Sequence, residues 1–483
     1  MLPFDADPAL LEAQRLRAEL RRVRRALAAD RVHGADPETI EFGERDLERL
    51  SERYESLLAN ELGPGTGLRN RAEAALDERA RSLRLAVRLR RSELRRRALA
   101  LRADAIGEHA ASAHRSPTAA ETRRAEELRL RAGQHEAEAW STEITSPARR
   151  DAVLGALSAM RLREAAAQLR SGLLLTVQMR GIIAEALPSL LRGDPVLLVG
   201  ETGGAKTALA EHLSRVGAGR EPELVSGYGD ITGAQLIGTH ELHAEQGATV
   251  SAFVPGPLLR AMTEGRPLIL DEVNAMPPEF LKRLNRILQL RPGDAFAVQE
   301  DAGRRVTIAP GFAILATANE QTPHRYRGLD RLSAELVNRF GANTYRVHYP
   351  DRGLGYADFP RENALLAAAA VVDRSGELPS GIDADAVERI ARAAFISQQV
   401  FSGEHGEGFG DYVSTEREID GRPGLEESVL APRTLVAILQ KVAGSAGAIS
   451  LDRALSRFVE GIMHREDRRV LALIVRGQGF RIE

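Results

Sequence analysis

Hydrophobic positions recur along this chain in three rhythms, and each predicts a different element. Through the first third they fall three and four residues apart: Leu16, Leu20, Val23 and Leu27 at 4-3-4, then Leu47, Leu50, Tyr54 and Leu57 at 3-4-3. That spacing puts one apolar stripe on a helix and predicts seams of coiled-coil type. Polar breaks at HGADPET (33–39), GPGTG (63–67) and HRSPT (114–118) divide the stretch into three or four antiparallel helices, and a helix of ~30 residues reaches ~45 Å. From about residue 151 the rhythm changes to short unbroken apolar runs: PVLLV (195–199), PLIL (267–270) and FAILATA (312–318). Runs of that length predict parallel strands buried on both faces, with helices between them. After Pro350 the runs give way to helical spacing again, interrupted by a polar, glycine-rich loop at 402–424.

The expected fold is therefore an α/β parallel sheet (151–350) between an N-terminal all-α arm (1–150) and a C-terminal helical lid (351–483). Ligands of such a sheet belong at the carboxyl ends of its strands. A length of 483 residues fits two to four domains.

Charge and cysteine usage remove several classes of function. The net charge is −2, so nothing draws the whole molecule to nucleic acid or to acidic membranes. There is no cysteine, which excludes disulfide scaffolds and thiolate zinc sites and agrees with a reducing, cytoplasmic setting. The N-terminus MLPFDADPALLEAQ lacks the apolar core of a signal peptide, and the longest apolar run, 364–372, is far short of the ~20 residues a membrane span needs. Ten arginines against one acid, Glu93, lie between Arg79 and Arg102. Taken over residues 1–150, however, 29 arginines face 26 acids, so the run reads as the solvated face of a long helix before it reads as a nucleic-acid strip.

Only three of the 66 basic residues are lysines: Lys206, Lys282 and Lys441. Lys206 ends GETGGAKT (200–207), one letter away from the phosphate-binding pattern G-x-x-x-x-G-K-[ST]. The backbone of Gly200, Glu201, Thr202, Gly203, Gly204 and Ala205 would cradle phosphates, with Lys206 on their charge and the Thr207 hydroxyl on Mg²⁺. Alanine at 205, where the pattern has glycine, adds one methyl that is tolerable if the residue already has negative φ, and it favours helix over glycine by up to ~1 kcal/mol.

Two further strand tips carry matching chemistry. LILDE (268–272) ends an apolar strand in two carboxylates: Asp271 suits Mg²⁺, and Glu272 suits a general base for an attacking water. ATAN ends in Asn319, whose amide can donate to a γ-phosphate while its carbonyl holds the water. Two hairpins are also legible: 239–254 about Glu245-Gln246-Gly247, and 295–309 about Asp301-Ala302-Gly303. His240 and His243 lie three apart on a strand and so face opposite ways, which argues against a metal pair.

The series GETGGAKT, FVPGPLLRAMTEGRPLILDEVN (253–274), ATAN, ELVNRF (335–340) and LAPR (430–433) resembles the AAA+ ATPases, in particular the MoxR-like and dynein-related branch, over about residues 170–445. The resemblance implies Walker A at 200–207, Walker B at 268–272 and sensor 1 at Asn319. It also implies an arginine finger at Arg339, with Arg331 a weaker candidate, and sensor 2 at Arg433 on the lid. It further implies ATP and Mg²⁺ as ligands and a ring, hexameric as in relatives, because a finger acts on a neighbour's nucleotide. The two hairpins correspond to insertions of that branch. The implied partners are a protein client and a protein with a von Willebrand factor A domain; a nucleic-acid-directed motor and a non-hydrolysing scaffold are the competing readings.

Overall fold

A computed structural model describes residues 8–482, apart from 34–35, 63–65, 113–114, 140–146, 246–247, 321–331, 374–377, 380–381, 404–405, 415–416, 418, 421 and 446. The chain forms two compact units: Met1–Leu99 with Arg129–Arg161, and Ala100–Leu128 with Leu162–Glu483. Among the described residues no helix is long and apolar enough to cross a membrane.

The N-terminal helices are α1 (Pro8–His33), α2 (Pro37–Leu62), α3 (Thr66–Ser112), α4 (Ala119–Ala139) and α5 (Pro147–Arg170). The two leucine seams meet: Leu16 and Leu20 of α1 pack with Leu50 and Tyr54 of α2, and Val23, Leu47 and Leu57 close the cluster. The breaks between helices are capped. Asp36 Oδ1 accepts from Thr39 N at 2.9 Å before α2. Thr118 and Glu121 form a reciprocal box before α4, with Thr118 N donating to Glu121 at 2.8 Å and Glu121 N donating to Thr118 Oγ1 at 3.3 Å. Helix α3 runs for 47 residues and fills the stretch between the breaks at 63–67 and 114–118. No proline interrupts it, and an isolated glycine such as Gly107 costs only ~1 kcal/mol within a helix. Ala86 and Leu89 of α3 pack on Val153 and Leu157 of α5.

The second unit is built on a five-stranded parallel sheet. After α6 (Val177–Arg192) come β1 (Val196–Gly200), α7 (Lys206–His212), β2 (Glu223–Ser226), α8 (Gly233–Ile237), β3 (Gly238–Glu245), β4 (Ala248–Pro255), α9 (Pro257–Glu264) and β5 (Pro267–Asp271). Then follow α10 (Pro278–Ile287), β6 (Ala295–Val298), β7 (Arg304–Thr307), β8 (Ala313–Asn319), α11 (Ala334–Phe340) and β9 (Thr344–Val347). The sheet order is β2-β5-β8-β1-β9. The three apolar runs are its three inner strands, whose side chains alternate between two buried layers. Leu197, Leu268, Leu270 and Ile314 enter one core, while Val196, Leu198, Ile269 and Leu315 enter the other. The edge strands, ELVS and TYRV, escaped the sequence reading because an edge needs only partial burial and tolerates polar residues.

Register gathers the motif residues. Gly200 lies beside Asn319 on β8 and beside Val347 on β9, and Ser226 lies beside Asp271. Leu270 pairs with Ala316, which carries Asp271 level with Thr317. Every strand tip that holds a candidate group therefore opens on one edge of the sheet.

Both hairpins form. β3 and β4 pair antiparallel with Thr239 opposite Val254, and the turn residues Gln246 and Gly247 lie outside the described residues. β6 and β7 turn through Ala302 and Gly303, at φ 47° and 76°. The His240 ring stacks edge-on to Phe253 at 5.5 Å and bonds Ser251 at 3.3 Å. The lid comprises α12 (Arg361–Val371), α13 (Ala384–Ser402), α14 (Pro432–Gly444), α15 (Leu451–Glu460) and α16 (Arg465–Gly477).

Candidate functional site

Lys206 begins α7 with its ammonium inside the protein, only 7% exposed. Its three protons have three acceptors: Gly200 O at 3.0 Å, Glu201 O at 2.9 Å and Asn319 Oδ1 at 3.0 Å. Burial pushes its pKa down to about 8, against the pull of the Glu201, Asp271 and Glu272 carboxylates, while the Arg433 charge pushes the same way as burial. A forked guanidinium does not fit three acceptors around one nitrogen, which accounts for a lysine in a chain that otherwise uses arginine.

The acid pair is held by hydroxyls. Asp271 Oδ1 accepts from Thr207 Oγ1 at 2.7 Å and from Thr317 Oγ1 at 2.6 Å. The same Thr317 oxygen accepts from Glu272 N at 3.0 Å. Thr317 is fully buried in β8, so one hydroxyl fixes the side chain of one acid and the backbone of the next. Its signal in the sequence was a hydroxyl inside an otherwise apolar strand, FAILATA. Beside it Asn274, 1% exposed, accepts from Asn319 N at 3.4 Å, and its Nδ2 is buried without a partner among the described residues.

Two non-glycine residues of the site are left-handed. Glu272 has φ 53° and Ala205 has φ 66°. The condition of negative φ that would make alanine easy at 205 is therefore not met: the loop takes a glycine-like conformation there, and alanine adopts it at a cost of roughly 1–2 kcal/mol. The loop turns into α7 at this residue, which is the N-cap and has no side-chain cap bond. At Glu272 the same conformation turns the chain sharply out of β5, as strained residues at functional sites do.

Two glycines are required by close approach. A Cβ on Gly200 would lie 2.1 Å from Val347 O. Gly203, at φ 70°, would place one 2.7 Å from the Ala431 Cβ at the start of α14, so loop and lid touch there. Tyr349, buried after β9, donates its hydroxyl to Thr202 O at 2.7 Å and fixes the middle of the loop. Gly204 N donates to Glu201 O at 3.3 Å.

Asn319 departs from expectation in one respect. Its carbonyl, expected to hold a water, is the acceptor for Lys206, which leaves its Nδ2 to face a phosphate oxygen. Arg433 is exposed in the first turn of α14, with no hydrogen bond or ion pair among the described residues, yet near enough to act on the Lys206 charge. Arg339 is not brought to this site. It ends α11 exposed, 3.5 Å from Glu335, and the Gln289 amide oxygen, when turned toward it, accepts from Nη1 at 3.1 Å and Nη2 at 2.9 Å. Arg331 lies outside the described residues.

The lid adds a network the motifs did not announce. Asp351, left-handed at φ 60° and buried, accepts from Glu362 N at 2.9 Å and Asn363 N at 2.8 Å. Asn363 and Gln398 exchange side-chain bonds at 3.1 Å, and Gln398 donates to Leu430 O at 3.0 Å. The chain of bonds runs from the end of β9 to the residue three before Arg433. The polar letters inside RENALLAAAAVV and ISQQVF were its trace in the sequence.

The donor set at the strand tips suits a nucleoside triphosphate with Mg²⁺. An ammonium destabilised by burial gains from a nearby anion, and a carboxylate beside a hydroxyl offers hard oxygen ligands. A parallel sheet whose first strand feeds a glycine-rich loop, and whose strand β5 ends in two acids on the same edge, has the arrangement of a P-loop fold. Residues 195–340 match the family model described as AAA domain (dynein-related subfamily). The chain is 34% identical over 159 residues to uncharacterized protein YojN of Bacillus subtilis (strain 168), covering 33% of this chain and 50% of that protein. It is 36% identical over 146 residues to an uncharacterized protein of Staphylococcus epidermidis (strain ATCC 12228 / FDA PCI 1200), covering 30% and 52%. The chain thus spans about half the length of these curated relatives. Among solved structures, NtrX from Brucella abortus aligns at a TM-score of 0.29 and 16% identity, over 74% of this chain and 80% of that one.

Proposed function

We propose that this chain is an ATP hydrolase of the MoxR-like kind, working as a ring, that uses hydrolysis to remodel or activate a protein client. The observation that carries the reading is the hydroxyl relay that joins Thr207, Asp271, Thr317 and Glu272. A surface loop has no use for a buried threonine that aligns two consecutive acids. A site that hydrolyses phosphoanhydrides has.

Thr207 and Asp271 would hold Mg²⁺, which when bound neutralises charge on the phosphate oxygens. Lys206 exchanges a backbone or amide acceptor for a phosphate oxygen and recovers the charge that burial destabilises. Asn319 donates through Nδ2. Glu272, exposed at the tip of β5, takes the proton of the water that displaces the leaving diphosphate. Arg339, whose contacts are with Glu335 and Gln289, would reach a neighbour's γ-phosphate, so the site would be complete only between subunits, most simply in a hexamer. Arg433 would report the phosphate to the lid through the Leu430–Gln398–Asn363–Asp351 bonds. A partner with a von Willebrand factor A domain is the expected companion. The second reading, a nucleic-acid-directed NTPase, has only the exposed arginines of α3 behind it.

The test is turnover of ATP with Mg²⁺ by the full chain beside Glu272→Gln. Nucleotide binding should persist in the variant while turnover falls about a hundredfold or more. Equal turnover in the two proteins rejects Glu272 as the base and this site as the place of hydrolysis.

A further inference from the structure

Two exposed helix faces in the first unit carry opposite charge at matching spacing. On α2, Glu38, Glu41, Glu48, Glu52 and Glu55 are exposed, and they follow a 3-4-3-4-3 rhythm that only Arg45 interrupts. On α3, Arg81, Arg84, Arg88, Arg91 and Arg95 are exposed at 3-4-3-4. At 100° per residue each set occupies an arc of about 100° or less, and each runs ~20–25 Å along its helix. Exposed apolar side chains edge both stripes: Phe42 on α2, 70% exposed, and Val87 and Leu94 on α3, 39% and 46% exposed.

Glu41 pairs with Arg45 of its own stripe at 3.2 Å, but three residues of each stripe keep their charge. Glu38, Glu48 and Glu52 make no ion pair among the described residues, and neither do Arg84, Arg91 and Arg95. The one acid within the arginine run does not serve the stripe. Glu93 binds Arg90 at 2.7 Å, Arg97 at 2.8 Å and Arg161 of α5 at 3.0 Å, all from the opposite side of α3. Those bonds hold the carboxyl of Glu93 below its ordinary pKa against the opposing effect of burial. Glu93 is therefore a brace between α3 and α5, and it does not neutralise Arg84, Arg91 or Arg95.

We infer that the acidic face of α2 in one copy docks on the arginine face of α3 in a second copy of this chain. Helical charges at three-four spacing pair best with helical charges at three-four spacing. A duplex of nucleic acid would match the arginines but would leave the acidic stripe of equal length unexplained. The apolar side chains at the two edges supply the burial that exposed ion pairs alone do not. Because the two faces differ, the contact runs head to tail and extends to a ring or an open chain of subunits instead of stopping at a two-fold dimer. The inference stands apart from the proposed hydrolysis and needs no nucleotide.

The absence of cysteine makes the test clean. Full-length Glu52→Cys and Arg91→Cys, mixed in equal amounts without nucleotide and treated with a short bismaleimide, should give a covalent dimer about tenfold above either variant alone. Arg84→Glu with Arg95→Glu in the Arg91→Cys copy should lower that yield about tenfold. Glu38→Arg with Glu48→Arg in the other copy should restore it, while far-ultraviolet dichroism shows all of them helical. Three outcomes overturn the inference: no dimer in the mixture; a link found only within the Glu52→Cys/Arg91→Cys double variant at monomer mass; or no dimer alongside salt-sensitive capture of a DNA duplex, which would assign the arginine face to a polyanion.

Discussion

The ammonium of Lys206 and the amide oxygen of Asn319 are 3.0 Å apart, although 113 positions separate them in sequence. The pairing of β1 with β8 brings them together at the carboxyl edge of the sheet. It makes the loop and the neighbouring strand tip one unit. Asn319→Ala should lower stability by about 1–3 kcal/mol in urea unfolding, because a buried charged donor then lacks a partner. A change below a few tenths would mean that Lys206 finds another acceptor.

The pH response follows from the same burial. In the folded protein Lys206 loses its proton near pH 8, whereas in the unfolded chain it keeps it to near 10.5. Between those values the unfolded state binds more protons, so this group's contribution to stability rises with pH through that window. The unfolding midpoint of the protein minus that of Lys206→Met should therefore climb between pH 8 and 10. Triphosphate binding at pH 9 should take up a proton, visible as a binding enthalpy that depends on the ionisation enthalpy of the buffer. A midpoint difference that is flat with pH, or falls, contradicts the assignment.

Thr317 is a positioning residue, and its variants separate position from packing. Thr317→Val keeps the volume but removes the hydroxyl from Asp271 and from the backbone of Glu272. It should cost about 1–3 kcal/mol and reduce turnover more than tenfold, with nucleotide affinity changed far less. Thr317→Ser keeps the hydroxyl and should recover most of the turnover. A Ser variant as slow as the Val variant would show that the methyl group matters and the relay does not.

Ala205 supplies a prediction in the opposite direction. Glycine relieves the left-handed strain of about 1–2 kcal/mol but loosens the unfolded chain by about 0.4–1, so Ala205→Gly should raise stability slightly. Ala205→Val, β-branched at φ 66°, should lower it clearly. Thermal midpoints in the order Gly, Ala, Val from highest to lowest check the assignment.

The sequence was most legible where burial is symmetric. The three inner strands are buried on both faces, so their apolar runs announced them, and the two leucine seams are the core of α1 and α2. The edge strands were illegible because partial burial leaves a mixed composition. Residues that meet at the strand tips were legible where a motif required them, as at Lys206, Asp271 and Glu272. Thr317, Tyr349 and the Asp351–Asn363–Gln398 network act through partners distant in sequence, and single polar letters in apolar stretches did not identify those partners. The sign of φ at Ala205 was not legible, because that residue precedes the helix and helix propensity does not bear on it.

The account turns on a site finished by a second subunit, and a mixing experiment measures that directly. Arg339→Ala and Lys206→Ala should each be nearly inactive in ATP turnover with Mg²⁺, the first lacking the finger and the second the phosphate contact. Combined across a range of ratios, they should regain activity, because some interfaces then pair an intact loop with an intact arginine. No recovery at any ratio, with both variants folded and assembled, would contradict an arginine acting between subunits, and full activity of Arg339→Ala alone would remove it from the site.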